Sequence, residues 1–222
     1  VNEAGMAETE SLMPGGFAYC HKFDVADRAA WDEALRIVSV AAGGKIDVVA
    51  NNAGISLGGP LEEYEQDEID RILDVNLKGV IYGAQAAYPY LKASAPGSCL
   101  INTASAAALY GMANQSLYGA TKAAVRSLTE SLDAEWAREG IRVRSLMPSF
   151  IDTPLLQNTP NRKRNAVIRD AVVEAGLEFT PVEEVAEAAW QAVTGDKLHY
   201  LVGKTARRLR FIAKGMPGKL RT

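Results

Sequence analysis

Cysteine and histidine are scarce in this chain of 222 residues, with two of each. His21 and His199 are far apart, and neither has a cysteine or carboxylate at ligand spacing, which argues against a metal site. Cys20 and Cys99 lie in apolar runs and read as buried free thiols, so a cytoplasmic setting is expected rather than a disulfide framework. No apolar run approaches the ~20 residues of a membrane-spanning helix. The chain also lacks a secretory signal pattern, an internal repeat and a low-complexity linker. What it has is 48% hydrophobic and 23% charged residues. Those proportions suit one α/β domain of ordinary size, expected to span residues 1–222.

The net charge of −3 conceals an asymmetry. Residues 204–222 hold seven Lys and Arg and no acid, which leaves 17 basic against 27 acidic residues, or −10, in the remainder. One reading of this basic tail is a membrane-surface or anionic-partner patch, with Leu209, Phe211, Ile212 and Met216 as apolar partners. The favoured reading is a solvated terminal helix that packs one face on the body. No nucleic-acid partner is expected.

Strand-like runs bounded by turn signals occur at Phe17–Val25, Ile46–Asn51, Ser98–Thr103, Ile141–Met147 and Leu198–Val202. Helical stretches separate them. Asp27 caps the stretch that runs to Ala42. Residues 65–91 place Ile69, Ile72, Leu73 and Leu77 at helical spacing. Gln115–Glu139 and Thr180–Val193 complete the set, the last opening on Thr180-Pro-Val-Glu183 as a capping box with proline at the first helical position. The alternation indicates βαβ units: a Rossmann-type, doubly wound parallel sheet flanked by helices. From Leu155 to Phe179 the alternation breaks into a polar excursion with a short helical pattern at 166–175. That region, 154–180 with its borders, reads as a substrate lid or as a surface insertion without a role.

Such a sheet runs in the order 3-2-1-4-5-6. With Phe17–Val25 as the third strand and Ile46–Asn51 as the fourth, the central strands are wanting. A strand–helix–strand segment of at least roughly 30 residues is therefore expected ahead of Val1, which is itself not a methionine.

Tyr118 and Lys122 are four residues apart on an expected helix, so they share one face, and Ser105 precedes the tyrosine by thirteen residues. A free phenol titrates near ~10. A cation beside it favours the phenolate and suits it to general acid–base work. The Tyr-x-x-x-Lys spacing recurs at Tyr88/Lys92 and Tyr200/Lys204. Tyr88 precedes Pro89, a poor helix-interior residue, and Tyr200 lies in a strand-like run. Only Tyr118 has a serine at the end of a preceding strand.

Three further segments lie after strands or within helices. Asn51-Asn-Ala-Gly54 lets backbone approach a ligand at the carboxyl edge of the sheet, or is a simple turn. Asn76, within Asp74-Val-Asn-Leu-Lys-Gly79, is a helix-bending group or a water-holding one. Pro148-Ser-Phe-Ile151-Asp-Thr153-Pro154 offers a hydroxyl and backbone groups at the same edge.

Taken in order with Asp24-Val25, these segments resemble the classical short-chain dehydrogenase/reductase family, from Val1 to about Gly203. The resemblance implies that Tyr118 is the general acid in reduction and the base in oxidation. Ser105 is implied to bind the substrate oxygen, and Lys122 the nicotinamide ribose. Asn76 is implied to hold a water that links Lys122 to solvent. Asp24 and Val25 are implied to meet the adenine, Asn51, Ala53 and Gly54 the adenosine ribose and nearby backbone, and Pro148, Ile151 and Thr153 the nicotinamide side. The family's glycine-rich diphosphate turn does not occur in residues 1–222, and its Pro-Gly after the sixth strand is Pro148-Ser149 here, which would crowd the nicotinamide face. The cofactor is NAD or NADP. Val1-Asn-Glu3, without a basic residue, leans toward NAD.

The expected reaction is alcohol–ketone interconversion on a hydrophobic small molecule, with Leu109, Met112 and Leu155 at the substrate wall beside Ser105. A 3-ketoacyl-thioester reductase is the alternative, with Arg162, Lys163 and Arg164 as its docking surface. A non-catalytic nucleotide-binding relative is disfavoured by retention of all four site residues. Epimerisation or dehydration, as in extended relatives, is disfavoured by the short region after Pro154. Extra apolar faces on the helices at 65–91 and 115–139 suggest burial against a partner as well as the sheet, and the resemblance implies a homodimer or homotetramer built on these helices.

Overall fold

The computed structural model of the chain describes residues 3–13, 15, 18–158, 160–161 and 166–215. In chain order its helices are α1 Glu3–Leu12, α2 Arg28–Ala41, α3 Gln66–Leu73, α4 Gly79–Ala93, α5 Ser116–Trp136, α6 Pro154–Asn158, α7 Ile168–Glu174, α8 Val182–Thr194 and α9 Lys204–Gly215. Its strands are β1 Val48–Asn51, β2 Cys99–Thr103, β3 Arg142–Pro148, β4 Pro160–Asn161, β5 Ala166–Val167 and β6 His199–Val202. Strands β1, β2, β3 and β6 form one parallel sheet in that order, a Rossmann-like arrangement with helices on both faces. Strands β4 and β5 make a small antiparallel pair in the lid region.

The sheet is built from the β-branched and aliphatic runs seen in the sequence. Strands β2 and β3 are buried on both faces, as parallel strands between helix layers must be. Leu100 and Val143 meet α2 and α4 through Trp31, Leu35, Ala84 and Leu91 on one side. Cys99, Ile101, Leu146 and Tyr200 meet α8 through Ala192 on the other. Register pairs Asn51 with Asn102 and Asn102 with Ser145, so the carboxyl ends of these strands lie side by side.

Four expectations need correction. The run at Phe17–Val25 forms no strand over its described residues, 18–25. A strand requires a ladder partner, and β1 pairs only with β2 among the described residues. Phe23 and Val25 instead pack against the cluster around Trp31, whose indole N–H donates to the Val25 carbonyl at 3.0 Å. Second, α4 continues through Pro89 to Ala93. Pro89 and Gln85, whose carbonyl loses its helical donor there, are both exposed, so water can serve that carbonyl. Third, Thr180 forms no capping box. Pro181 is the N-cap of α8, and the Thr180 hydroxyl lies 3.3 Å from the Ser149 hydroxyl. Fourth, Cys20 is exposed rather than buried, while Cys99 is buried as read.

Candidate active site

The carboxyl ends of β1, β2 and β3 open into a cavity of about 480 Å³. The β1 turn supplies Asn52, Ala53 and Gly54. Strand β2 supplies Thr103 and the segment to Ala107, and β3 supplies Pro148 with the residues to Ile151. Tyr118 and Lys122 enter from α5, Met112 and Gln115 from the loop before it, and Thr153, Leu155 and Leu156 from the lid. Val182, Val185, Thr205 and Leu209 close the far wall from α8 and α9.

Ser105 caps a short helical turn at Ala106–Ala108. Its Oγ accepts from the Ala107 N–H at 3.2 Å, which leaves its own O–H to donate into the cavity. That hydroxyl hydrogen-bonds the Tyr118 phenol, which pulls the phenol's pKa down, but burial is the larger influence and holds it above its ordinary value. Lys122 is 3% exposed, and its Nζ lies 5.8 Å from the centroid of the Tyr118 ring. Burial lowers its pKa to about 8. The direction for Tyr118 is therefore opposite to the one expected from the cation alone: desolvation outweighs the Ser105 hydrogen bond.

Lys122 donates to the Thr103 carbonyl at 2.9 Å. An ammonium has three donors, and the other two have no acceptor among the described residues. Gly54 explains why the ammonium can sit there: a Cβ at that residue would stand 3.3 Å from Nζ and 3.4 Å from the Asn76 side-chain oxygen. Two idle donors on a buried ammonium beside a cavity fit the hydroxyls of a nicotinamide ribose.

Asn76 sits fully buried in a π-helical turn, Asp74–Lys78, that joins α3 to α4. Its side-chain oxygen accepts from the Ile55 N–H at 2.8 Å. Its amide nitrogen donates to the Ile55 carbonyl at 2.8 Å and to Thr121 Oγ1 at 3.3 Å. Both amide hydrogens are thus used. The side chain clamps the loop after β1 onto the widened helix.

Four other expected positions lie away from the cavity. Asn51 is 3% exposed, and its amide nitrogen bonds the Val80 carbonyl and Asn102 Oδ1 at 3.1 and 2.9 Å. Asn102 continues the chain to Thr129 at 3.0 Å, so Asn51 ties β1 to β2 and α5. Asp24 and Val25 do not border the cavity; the Asp24 carboxylate accepts from the Ala26 N–H at 2.9 Å. Leu109 does not line the wall either. It packs inward with Val80, Ala104, Val125 and Met147 because the turn after Ser105 rotates it toward the core.

The Ser149 hydroxyl is engaged with Thr180, and both crowd Gly203, which adopts φ +89°. A Cβ at Gly203 would overlap both oxygens. The sequence reading missed Thr103, Gln115, Val182, Val185, Thr205 and Leu209. Only Thr103 carried a local signal, as the polar residue closing the strand before Ser105. Arg162, Lys163 and Arg164 lie outside the described residues.

A family model described as short chain dehydrogenase matches residues 2–164. An uncharacterized oxidoreductase of Staphylococcus epidermidis is 38% identical over 156 residues, covering 68% of this chain and 67% of that protein. The chain thus spans about two thirds of that relative's length. Among solved structures, the 3-ketoacyl-(acyl-carrier-protein) reductase of Brucella melitensis complexed with NADH has a TM-score of 0.76 at 29% identity, over 90% of this chain and 83% of that one. A gluconate 5-dehydrogenase of Burkholderia cenocepacia in complex with NADP and tartrate has a TM-score of 0.69 at 31% identity, over 84% of this chain and 74% of that one.

Proposed function

Because the chain belongs to the short chain dehydrogenase family, we propose that it interconverts an alcohol and a ketone or aldehyde on a hydrophobic small molecule, with NAD or NADP. The carrying observation is that Ser105, Tyr118 and buried Lys122 line one cavity together, with the Lys122 ammonium 5.8 Å from the centroid of the Tyr118 ring. When bound at this edge, the nicotinamide supplies the hydride donor or acceptor. The rest is the work of this chain. Ser105 donates a hydrogen bond to the substrate oxygen and orients it. Tyr118 gives its phenolic proton to that oxygen in reduction and takes it back in oxidation. Lys122 holds the ribose hydroxyls with its two idle donors, and its charge favours the phenolate when oxidation calls for it. Asp24 and Val25, implied at the adenine, would act from outside the cavity.

The wall supports the substrate class. Met112, Phe150, Ile151, Leu155, Leu156 and Leu209 are apolar, and Lys122 is the only lining residue among those described that bears a charge. A carboxylate or phosphate on the substrate would find no second cation there. A neutral ketone or secondary alcohol on an apolar body fits, such as a lipid, terpenoid or steroid. Apolar walls discriminate by only about 1–3 kcal/mol per methylene, so a family of related substrates is expected. The test is a panel of hydrophobic ketones, sugars, sugar acids and acetoacetyl thioesters with each cofactor. A kcat/KM preference for hydrophobic ketones supports the proposal. A clear preference for sugars or sugar acids overturns it, and a preference for the thioester favours the ketoacyl reading instead.

A further inference from the structure

The proposed reaction uses only one side of α9. Its sequence, KTARRLRFIAKG, carries five cations and no acid. Ala206 is fully buried, Thr205 and Leu209 line the cavity, and Ile212 and Ala213 are half-buried on the same side. On the opposite side Lys204, Arg207, Arg208, Phe211 and Lys214 follow one another at helical spacing, all exposed. Phe211 stands in the middle of this cationic face, 71% exposed. Lys204 is held by Glu178 at 3.2 Å. Arg207, Arg208 and Lys214 have no ion-pair partner among the described residues.

Any anion could answer the cations, so the phenyl ring decides between partners. A ring exposed at the centre of that face calls for a partner with an apolar layer beneath its anions. An anionic bilayer answers both, with headgroups for the cations and the acyl boundary for the ring. Residues 1–203 carry −10, so the rest of the chain is repelled by the same surface and α9 is the side that turns toward it. We propose that α9 docks the protein on an anionic lipid bilayer, with Phe211 at the acyl boundary and Arg207, Arg208 and Lys214 on the headgroups. No helix among the described residues is long and apolar enough to cross a membrane, so the contact lies in the interface plane. Docking brings the cavity wall at Leu209 to within about one helix diameter, ~10 Å, of the lipid. Delivery of an apolar substrate by that route rests on the proposed substrate class; the docking itself does not.

The test is co-sedimentation of the full-length protein with vesicles of phosphatidylcholine alone or mixed with phosphatidylserine. Binding is expected only to the anionic vesicles and is lost in high salt. Each cation removed lowers the partition about fivefold, so R207Q/R208Q loses about 25-fold. F211A loses about tenfold or more. Neither variant changes turnover of a soluble substrate, which also controls for folding. Equal binding to neutral vesicles, no binding to anionic vesicles at low salt, or wild-type partition of both variants overturns the proposal. So does an absence of vesicle binding together with a drop in oligomer size of R207Q/R208Q by light scattering, which would make the face a contact between copies of the chain. Wild-type vesicle binding needs no turnover, so a failed substrate panel leaves this result standing.

Discussion

Lys122 donates its 2.9 Å hydrogen bond to the Thr103 carbonyl at the end of β2, and its ammonium lies 5.8 Å from the centroid of the Tyr118 ring. The cation is thus moored to the sheet, and its nearness to the phenol follows from where β2 ends relative to α5. The same desolvation acts on both groups with opposite sign: it lowers Lys122 to about 8 and raises Tyr118.

The lysine's lowered pKa makes a stability prediction. Burial penalises the charged form, so the folded state binds its proton less tightly than the unfolded state does. The penalty is complete below about pH 8 and is relieved as pH rises toward the ordinary lysine value of 10.5. At neutral pH it is on the order of 3 kcal/mol. Lys122→Met in the cofactor-free protein removes that penalty at the cost of the Thr103 hydrogen bond, about 1 kcal/mol. The variant is expected to melt above wild type at pH 7, with the gap closing by pH 10.5. A gap that is constant across this range would contradict the buried-charge account. With cofactor added the variant should bind it less well, since the ribose donors are gone.

Ser105→Ala removes the hydrogen bond that pulls the phenol down. In the oxidation direction Tyr118 must be ionised, so the rising limb of the rate profile should move to higher pH and kcat at neutral pH should fall. One positioned polar group of this kind is worth ~10²–10⁴ in rate. An unmoved limb with reduced KM discrimination would assign Ser105 to substrate binding alone.

How much of this was legible beforehand follows from the range of the forces. Tyr118, Lys122 and Ser105 could be read because helix spacing and a strand end fix them locally, and β1, β2, β3 and β6 because each has an aliphatic stretch bounded by turn signals. The run at Phe17–Val25 has the same composition, but a strand needs a neighbour, which no local pattern reports. Asn51 looked like a ligand contact because it follows a strand. Its amide turned out to be held by Asn102 and Val80, partners 51 and 29 residues away. Leu209 and Thr205 reach the cavity only because β6 delivers α9 there, so nothing near them in sequence marked them.

Gly203→Ala should be strongly destabilising. The residue adopts φ +89°, and an added methyl would overlap both the Ser149 and Thr180 hydroxyls. Left-handed strain alone costs about 1–2 kcal/mol, and the overlap adds to it. A drop in Tm of several degrees is expected by calorimetry, partly recovered in Gly203→Ala/Ser149→Gly because one of the two clashes is removed. No recovery in the double variant would place the cost in the backbone alone.

Helices α4 and α5 bear Ile81, Tyr82, Tyr88, Leu117, Leu128, Leu132 and Trp136, all half-buried in the single chain, with Tyr82, Tyr88, Leu132 and Trp136 resting on the edge of the core. Tyr88 and Trp136 pack together with ring centroids 5.1 Å apart. Completion of their burial by a second copy is expected, giving a dimer or tetramer. Light scattering that reports a monomer at micromolar concentration would refute it.

The central claim is that the Tyr118 proton is the one transferred, and Tyr118→Phe addresses it most directly because it deletes that proton and little else. Turnover with an accepted ketone, followed by nicotinamide absorbance, is compared with cofactor affinity measured by calorimetry on the same preparation. The account predicts that kcat falls by ~10²–10⁴ while cofactor Kd stays within a few-fold of wild type. A kcat that is unchanged in Tyr118→Phe would contradict it.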